Sequence, residues 1–361
     1  MSGALSRDVM SSPSPGPDAG DDVLVRVNDL VKYFPVKSGG LISRTVGHVQ
    51  AVDGVSLTIK RGQTLGLVGE TGCGKSTLAR CIAGLIPITS GSVTFDGNNI
   101  TNLSRRAMRP FRREIQMIFQ DPYGSLNPRR RVGAIIGDPF AIHNTAGGGA
   151  RKRAVQELME RVGLNPEHYN RFPAEFSGGQ RQRIGVARSL ALRPKLIICD
   201  EPVSALDVSI QAQVLNLLSD LQDDFGLSYL FIAHDLEVVR HVSNAVVVMY
   251  LGKIAEAGPK GPVYDMPRHP YSAALLSAAP AADPESAAAR QRIILTGDVP
   301  SPINPPSGCR FHPRCPKAQD VCSREEPPLE SKPGDPDSHV TACHFPVQAG
   351  EQLARAGRRE R

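Results

Sequence analysis

The sequence predicts an α/β fold in which a mixed central sheet carries an antiparallel β subdomain and a helical subdomain, followed by a small irregular cysteine-rich C-terminal domain. A glycine-rich turn at residues 69–76 lies between a short apolar run and a helical pattern. A second apolar run, at residues 196–199, ends in two adjacent carboxylates. Beyond residue 295 the chain is rich in proline and lacks regular periodicity. The first two features predict a sheet with parallel strands, and the third predicts an irregular appendage.

Composition limits the class of protein. The chain has 361 residues and a formal net charge of +6, but its Arg and Lys residues are spread along the sequence, so we expect no nucleic-acid partner. The longest apolar run, AVVVMYL at residues 245–251, is far shorter than the roughly 18 residues of a membrane-spanning helix. The first residues lack the pattern of a secretory signal, which favours a cytoplasmic protein. Because disulfides are rare in the cytoplasm, we interpret the seven cysteines as buried thiols, metal ligands or reactive sites.

The elements of the first half follow in order. Residues 1–21 are rich in Ser, Pro, Gly and Asp and predict a disordered leader. The segments VLVRVNDLVKYF and VQAVDGVSLTI alternate apolar and polar residues, which predicts antiparallel strands. Helical patterns over residues 121–185 predict a helical subdomain within a larger domain at residues 22–260. A later helix is predicted to face the core with Val214, Leu217, Leu218, Leu221 and Phe225.

The glycine-rich turn fits the pattern G-x-x-x-x-G-K-[ST]. It consists of Gly69, Glu70, Thr71, Gly72, Cys73, Gly74, Lys75 and Ser76, followed by Thr77. Backbone N–H groups must close around phosphate oxygens in such a loop, which glycine permits, and the following helix directs its positive end at the same anion. We therefore predict that these residues bind a nucleotide, that Lys75 contacts its β- and γ-phosphates, and that Ser76 is a ligand of Mg²⁺.

The segment KLIICDEP, residues 195–202, supplies the carboxylates that nucleotide hydrolysis requires. Its apolar residues predict a buried strand that ends at Asp200 and Glu201, at the carboxyl edge of a parallel sheet, where ligands bind in such folds. We assign Asp200 to the shell of Mg²⁺ and Glu201 to polarising the attacking water.

The segment FSGGQRQRIGVARSLALRP, residues 176–194, offers a second set of free N–H groups at the start of an amphipathic helix. One loop already binds phosphate, so a second anion site requires a second nucleotide. In this segment the chain resembles the ATP-binding subunits of ABC transporters, which have a P-loop NTPase fold. The resemblance implies that the signature reaches across a dimer to ATP on the partner's phosphate loop, through Ser177, Gly178, Gly179 and Gln180.

Three further residues match the family in order along the chain. Gln120, in MIFQDPYGSLNP, corresponds to the loop that senses Mg²⁺ and contacts the membrane partner. Asp207 ends SALD, the loop that crosses the dimer, and His234 in LFIAHDL corresponds to the switch histidine at the γ-phosphate. The resemblance therefore implies that Glu201, His234 and Gln120 act in catalysis and that Mg²⁺ is bound through Ser76, Gln120 and Asp200.

Two positions depart from the family pattern. Phe176 stands where Leu is usual, an apolar exchange that affects packing rather than binding. An insertion in YFPVKSGGLISRTVGHVQ falls where the aromatic residue that stacks on adenine belongs. Tyr33 is our candidate for that residue, and a position in the strand core is the alternative.

Residues 22–346 resemble more narrowly the oligopeptide/dipeptide importer ATPases of the type that contains KYFPVK. The resemblance implies an ATPase that uses ATP and Mg²⁺ to drive import at the cytoplasmic side of the cell membrane. It also implies two membrane permeases, a second related ATP-binding subunit and, indirectly, an extracytoplasmic solute-binding protein. One phosphate loop and one signature make this chain half of an ATP sandwich. Peptides are the implied substrate, and nickel, glutathione or other small solutes stay open.

Four cysteines, Cys309, Cys315, Cys322 and Cys343, lie in an accessory domain that we delimit at residues 261–346. A stretch so rich in proline buries too little apolar surface to fold alone, which favours a covalent or metal link between its segments. The spacing leaves zinc and an iron–sulfur cluster open. The resemblance implies a [4Fe–4S] cluster, with Zn²⁺ or unligated thiols as alternatives. Residues 347–361 predict a disordered basic tail, and Cys73, Cys81 and Cys199 are interpreted as small buried residues.

Two other functions explain the residues less well. A non-transport ABC ATPase that acts on DNA or ribosomes predicts a coiled-coil insertion or two cassettes in one chain, and neither is visible in the sequence. A phosphate-loop kinase accounts neither for SGGQ nor for His234.

Overall fold

The structure is a computed structural model that describes residues 22–37, 44–121, 124–204, 206–278, 293–351 and 353. The predicted leader, residues 1–21, lies outside the described residues, as does most of the predicted basic tail. The predicted fold class is confirmed, with one antiparallel sheet, one mixed sheet and a group of helices between two strands of the mixed sheet.

The antiparallel sheet has four strands in the order β2-β1-β4-β5. They are β1 (Val23–Lys37), β2 (Thr45–Lys60), β4 (Ser90–Phe95) and β5 (Asn98–Asn99). Along β2, the side chains of Val55, Leu57 and Ile59 are buried while their neighbours are exposed. This alternation places one face of the sheet on the core, as the period of two predicted.

The mixed sheet has eight strands in the order β11-β12-β10-β9-β3-β8-β7-β6. Its parallel strands are β3 (Thr64–Val68), β6 (Ile115–Ile118), β7 (Leu196–Asp200), β8 (Ser228–Ala233) and β9 (Ala245–Tyr250). Every residue of β3, β7 and β8 is buried, because layers cover both faces of the parallel part. The antiparallel strands are β10 (Lys253–Pro259), β11 (Glu330–Ser331) and β12 (Val340–Thr341).

Ten α-helices lie in the described residues, and none of them is both long and apolar enough to cross a membrane. They are α1 (Lys75–Ile82), α2 (Phe111–Glu114), α3 (Val132–His143), α4 (Gly148–Arg161), α5 (Gly178–Leu190), α6 (Val208–Phe225), α7 (Leu236–Val242), α8 (Lys260–Asp265), α9 (Pro270–Ala278) and α10 (Asp320–Arg324). Helix α6 buries Val214, Leu217, Leu218 and Leu221 as predicted. The prediction for Phe225 is wrong: it is 39% exposed at the end of α6, where the guanidinium of Arg161 lies 5.1 Å from its ring centre.

The C-terminal region continues the central sheet rather than standing apart from it. Strand β12 pairs with β10, so the sheet extends across the predicted boundary near residue 260. The buried side chain of Glu256, on β10, accepts hydrogen bonds from the N–H groups of Arg268 and His269 and lies 2.7 Å from the Nε2 atom of His339. Val347, the first residue of the predicted disordered tail, is buried and donates to the carbonyl of Arg268, so order extends beyond residue 346.

Candidate active site

The phosphate loop connects β3 to α1 in a conformation that requires glycine. Gly69 and Gly74 have φ angles of 151° and 108°. A Cβ atom at Gly74 would lie 2.0 Å from the carbonyl oxygen of Ala51, and one at Gly69 would lie 2.1 Å from that of Met249. Side chains at these positions would collide with backbone, so the two glycines fix the path of the loop between strands β2 and β9.

Lys75 begins α1 and is almost fully buried. Its ammonium group donates to the carbonyl oxygens of Gly69, at 2.7 Å, and Glu70, at 3.1 Å. The tip of the loop, Thr71 and Gly72, is exposed. The lysine is thus held across its own loop, where a positive charge and the start of a helix attract an anion.

Asp200 ends strand β7, and its Oδ1 atom accepts a hydrogen bond from the hydroxyl of Ser76 at 2.7 Å. Burial raises the pKa of Asp200 above its ordinary value, although the bond from Ser76 and the nearby charge of Arg80 oppose the rise. A carboxylate and a hydroxyl in contact are oxygen donors of the kind that Mg²⁺ prefers. A bound cation would also favour the ionised form of this buried carboxyl.

Glu201 lies between two side chains that come from other strands. Its Oε2 atom accepts a hydrogen bond from the amide of Gln120 at 2.9 Å and lies 3.5 Å from the Nδ1 atom of His234. These residues follow the carboxyl ends of β7, β6 and β8, which meet at one edge because the strands are parallel. Glu201 has a φ angle of 48°, uncommon for a residue with a side chain, and strain of this kind is frequent at functional positions.

The signature forms the start of α5, with Ser177 as its N-cap. The hydroxyl of Ser177 accepts from the N–H of Gln180, and the side chain of Gln180 accepts from the N–H of Ser177 at 3.0 Å. Ser177 is exposed, whereas the preceding Phe176 is buried in the core. Asp207 precedes α6 in the same exposed way, and the adjacent Val208 is 84% exposed. The starts of α5 and α6 therefore expose two polar side chains, Ser177 and Asp207, and one apolar side chain, Val208.

Tyr33 lies on β1, and its hydroxyl donates to Asp53 on β2 at 2.5 Å. Burial, followed by the hydrogen bond to Asp53, raises the pKa of Tyr33 to about 12. The hydroxyl therefore stays protonated, and the ring is partly exposed. These contacts are compatible with both interpretations of Tyr33, stacking on adenine and packing in the core of the strand.

Two sequence families match this chain. One, described as ABC transporter, matches residues 52–204, and one described as oligopeptide/dipeptide transporter, C-terminal region, matches residues 255–322. The oligopeptide transport ATP-binding protein AppF of Bacillus subtilis is 54% identical over 328 residues, which cover 91% of this chain and 98% of AppF. This chain belongs to the ABC transporter family, in its oligopeptide/dipeptide branch. It is an ATP-binding subunit of that family, and its enzymatic activity is ATP hydrolysis.

Other members of the ABC family agree in sequence and in fold. The di/tripeptide transport ATP-binding protein DppF of Pseudomonas aeruginosa is 46% identical over 91% of this chain and 99% of its own length. The dimeric ATP-binding cassette MJ0796, in a post-hydrolysis state bound to ADP and Pi, is 26% identical with a TM-score of 0.58. That match covers 66% of this chain and 99% of the cassette.

The four cysteines of the C-terminal region line one small cavity. Cys309, Cys315, Cys322 and Cys343 share its wall with His312 and other residues. Burial is the largest cause that raises the pKa of Cys315 to about 12 and that of Cys343 to about 11, and the neighbouring thiols add to both shifts. In the described ranges, no three His, Cys, Asp or Glu side chains form a group that could hold a single metal ion. The four thiols lie around one cavity, and the prediction that they hold a cluster or an ion stays a prediction.

Sequence reasoning missed the contacts that join this region to the ATP site. Arg314 pairs with Glu70 of the phosphate loop, and Arg310 pairs with Asp53, the partner of Tyr33. A possible signal was present in the segment CRFHPRC, residues 309–315, where two arginines lie between two cysteines. Nothing in the sequence indicated their partners, which are more than 240 positions away.

Proposed function

We propose that this chain powers the import of small peptides by hydrolysing ATP with Glu201, as half of an ATP sandwich at the cytoplasmic side of the cell membrane. The observation that carries the proposal is the position of Glu201, whose carboxylate is held between the amide of Gln120 and the ring of His234. The contact between Ser76 and Asp200 lies at the same edge of the sheet. Peptides enter the proposal because the similar proteins named above are oligopeptide and di/tripeptide transport ATP-binding proteins.

Different residues of the candidate site bind the phosphates, the adenine and the Mg²⁺ ion. The N–H groups of residues 69–77 and the ammonium of Lys75 hold the phosphates, and Tyr33 stacks on adenine. Ser76 and Asp200 would hold Mg²⁺, which would neutralise negative charge on the phosphates of ATP. Gln120 is predicted to join these ligands. The amide nitrogen of Gln120 donates to Glu201, so the amide oxygen does not take part in that bond and can act as a ligand of a cation.

Glu201 orients the attacking water through its carboxylate oxygens. The hydrogen bond from Gln120 and the constrained backbone of Glu201 fix the carboxylate before ATP arrives, which reduces reorganisation during the reaction. His234 follows the end of the next strand, β8, and would contact the γ-phosphate in this arrangement.

A second chain completes the site. Ser177 and Asp207 are exposed at the starts of α5 and α6, where the signature can reach the γ-phosphate on a partner's phosphate loop. With one phosphate loop and one signature per chain, two sites form when a related ATP-binding subunit pairs with this one. Two permeases transmit the closing motion, and a solute-binding protein delivers substrate.

The transport proposal is tested in proteoliposomes that contain this chain, its partner subunit and the two permeases. We expect ATP-dependent uptake of radiolabelled di- and oligopeptides, abolished by Lys75→Ala in this chain, which removes the charge that holds the phosphates. The exposed Lys152→Ala variant serves as the matched control. Uptake of nickel or glutathione without uptake of peptides would overturn the peptide assignment and leave the ATPase assignment intact.

We also propose that Cys309, Cys315, Cys322 and Cys343 hold a [4Fe–4S] cluster. The observation that supports this proposal is that the four thiols line one cavity, because four Cys thiolates are the ligand set of such clusters. When bound, the cluster supplies a covalent link between segments that lack regular structure.

Anaerobic purification tests the cluster through visible absorbance and through iron and sulfide content. We expect a brown protein that loses its colour in Cys322→Ser, while the matched Cys81→Ser variant, also at a buried cysteine, keeps it. A colourless wild-type protein that contains zinc would contradict the cluster and support a Zn²⁺ site. A colourless protein without any metal would show that the four thiols are unligated.

A further inference from the structure

Arg314 lies in the arginine loop, which we define as residues 309–315, and reaches from there into the phosphate loop. Its two terminal nitrogens donate to the two carboxylate oxygens of Glu70, at 2.8 and 3.1 Å. The arginine side chain is 9% exposed and that of Glu70 is 25% exposed. The pair is therefore bidentate and largely shielded from water, which makes it stronger and more specific than a surface ion pair.

The rest of the arginine loop holds Arg314 in this position. Phe311 is buried, and its ring centre lies 5.2 Å from that of Tyr250 and 5.3 Å from that of Tyr271. The guanidinium of Arg314 lies 5.9 Å from the centre of the Tyr250 ring. Aromatic packing of this kind fixes the loop against strand β9 and helix α9.

Glu70 receives a second contact from the same side. Its backbone N–H donates to the hydroxyl of the buried Tyr271, on α9, at 2.8 Å. Its carbonyl accepts from Lys75 at 3.1 Å. The N–H, the carbonyl and the carboxylate of Glu70 are thus all engaged, and two of these three contacts come from residues beyond β10.

The negative charge of Glu70 connects its ion pair with Arg314 to the binding of ATP. A carboxylate in a loop that binds polyphosphate repels the ligand unless a cation neutralises it, and the repulsion is strong where water is scarce. Arg314 provides that cation and, through both oxygens, also fixes the side chain of the loop residue. The hydrogen bonds of Lys75 go to the carbonyl oxygens of Gly69 and Glu70, whereas those of Arg314 go to the carboxylate of Glu70.

We propose that Arg314 is a positioning residue for ATP, which acts from the C-terminal region by neutralising and holding Glu70 in the phosphate loop. The inference rests on the proposed ATP site and adds a group outside the cassette to it. It assigns the arginine loop a role in the affinity for nucleotide, in addition to its role in the fold.

Equilibrium titration of the full chain with a fluorescent ATP analogue tests the role through Arg314→Gln, Glu70→Gln and the double variant. We expect Arg314→Gln to weaken ATP binding about tenfold, because the carboxylate of Glu70 is then unpaired. In the double variant that carboxylate is absent, so the affinity should recover to within about threefold of the wild type. A purely structural role for Arg314 predicts no recovery, and that result would overturn the proposal.

Charge dependence gives a second readout. The loss in Arg314→Gln should decrease from ATP to ADP to AMP and should shrink at about 0.5 M salt, since screening weakens repulsion. Arg310→Gln is the matched control. Arg310 is as buried as Arg314 and lies in the same loop, but it pairs with Asp53, which lies outside the phosphate loop. Its effect should not depend on the number of phosphates, and Glu70→Gln should not rescue it.

If Arg314→Gln does not fold, Arg314→Lys carries the test, because it keeps the charge and loses the two-point geometry. We expect about threefold weaker ATP binding, with adenosine binding unchanged. Equal losses for ATP and adenosine would contradict the proposal. A wild-type chain that binds no nucleotide would instead overturn the ATP site itself, so the two failures are distinguishable.

Discussion

The candidate ATP site is assembled from backbone turns at the ends of parallel strands, whereas the C-terminal region is held by pairs of buried ionisable side chains and by aromatic packing. In the first, Gln120, Glu201 and His234 meet because β6, β7 and β8 run side by side. In the second, Arg268 binds both oxygens of Asp335, and His339 contacts Glu256. The sheet positions the candidate catalytic groups through its regular spacing, while the C-terminal region relies on individual long-range contacts.

The difference has an energetic consequence. Removing one member of a buried pair leaves an uncompensated charge, which is strongly destabilising, whereas removing a catalytic side chain at a solvated edge changes the reaction more than the fold. Substitutions in the two regions should therefore separate activity from stability. Four variants test this separation, from the largest expected effect to the smallest.

Glu201→Gln should lower ATP hydrolysis about a thousandfold, because the amide cannot polarise water as the carboxylate does. ATP binding and thermal stability should stay close to the wild type. Steady-state phosphate release and nucleotide titration measure the two quantities, with the exposed Glu157→Gln as control. A hydrolysis rate within tenfold of the wild type would show that another group activates the water.

Asp335→Asn should lower the free energy of unfolding by about 3 kcal/mol, since Arg268 keeps its charge in a site that is 7% exposed. Urea denaturation followed by circular dichroism measures the change. Asp224→Asn removes the carboxylate of a pair that is more than half exposed on both sides, and it should cost less than about 0.5 kcal/mol. Similar values for both variants would mean that burial does not determine the strength of these pairs.

Ser177→Ala should lower ATP hydrolysis about tenfold in the assembled transporter and leave ATP binding to the isolated chain intact. The hydroxyl acts on the partner's nucleotide in this arrangement, and it also caps α5, so the variant loses about 1 kcal/mol of stability. Comparison of the assembled and isolated forms distinguishes the two roles. Weaker ATP binding by the isolated chain would place the signature in the chain's own site.

Tyr33→Ala should weaken ATP binding about fivefold by removing a stacking ring, and Tyr33→Phe, which keeps the ring, should stay within about twofold. Competition between ATP and other nucleoside triphosphates reports whether the base is contacted. An equal loss in both variants would mean that the hydroxyl bond to Asp53, and not stacking, is the contribution of Tyr33.

The sequence predicted which residues of the candidate ATP site lie near one another, because its motifs are local and regular strands bring them together. Apolar runs placed Asp200 and Glu201 at a strand end, and the structure has them there. The bond from Gln120 to Glu201 was not predictable, because a strand pattern gives no side-chain direction. The exposure of Phe225 was missed because helical period alone does not show where the core ends.

The irregular, cysteine-rich character of the C-terminal region was predictable from its composition, but its contacts with the rest of the chain were not. Four cysteines and many prolines predicted an irregular clustered segment, and the four thiols do line one cavity. The extension of the central sheet by β12 was missed because two-residue strands have no detectable period. Arg314 and Arg310 carry no local signal of their partners, since an ion pair between distant segments depends on the complete fold.

The most direct measurement is the ATP hydrolysis rate of this chain during titration with its partner ATP-binding subunit and the permeases. If Glu201 acts only with a signature from a second chain, the rate should rise from a low value, saturate at equal stoichiometry, and disappear when this chain carries Glu201→Gln and the partner is inactive. A rate that is independent of the partner, or one that survives Glu201→Gln under those conditions, would contradict the half-site that the structure supports.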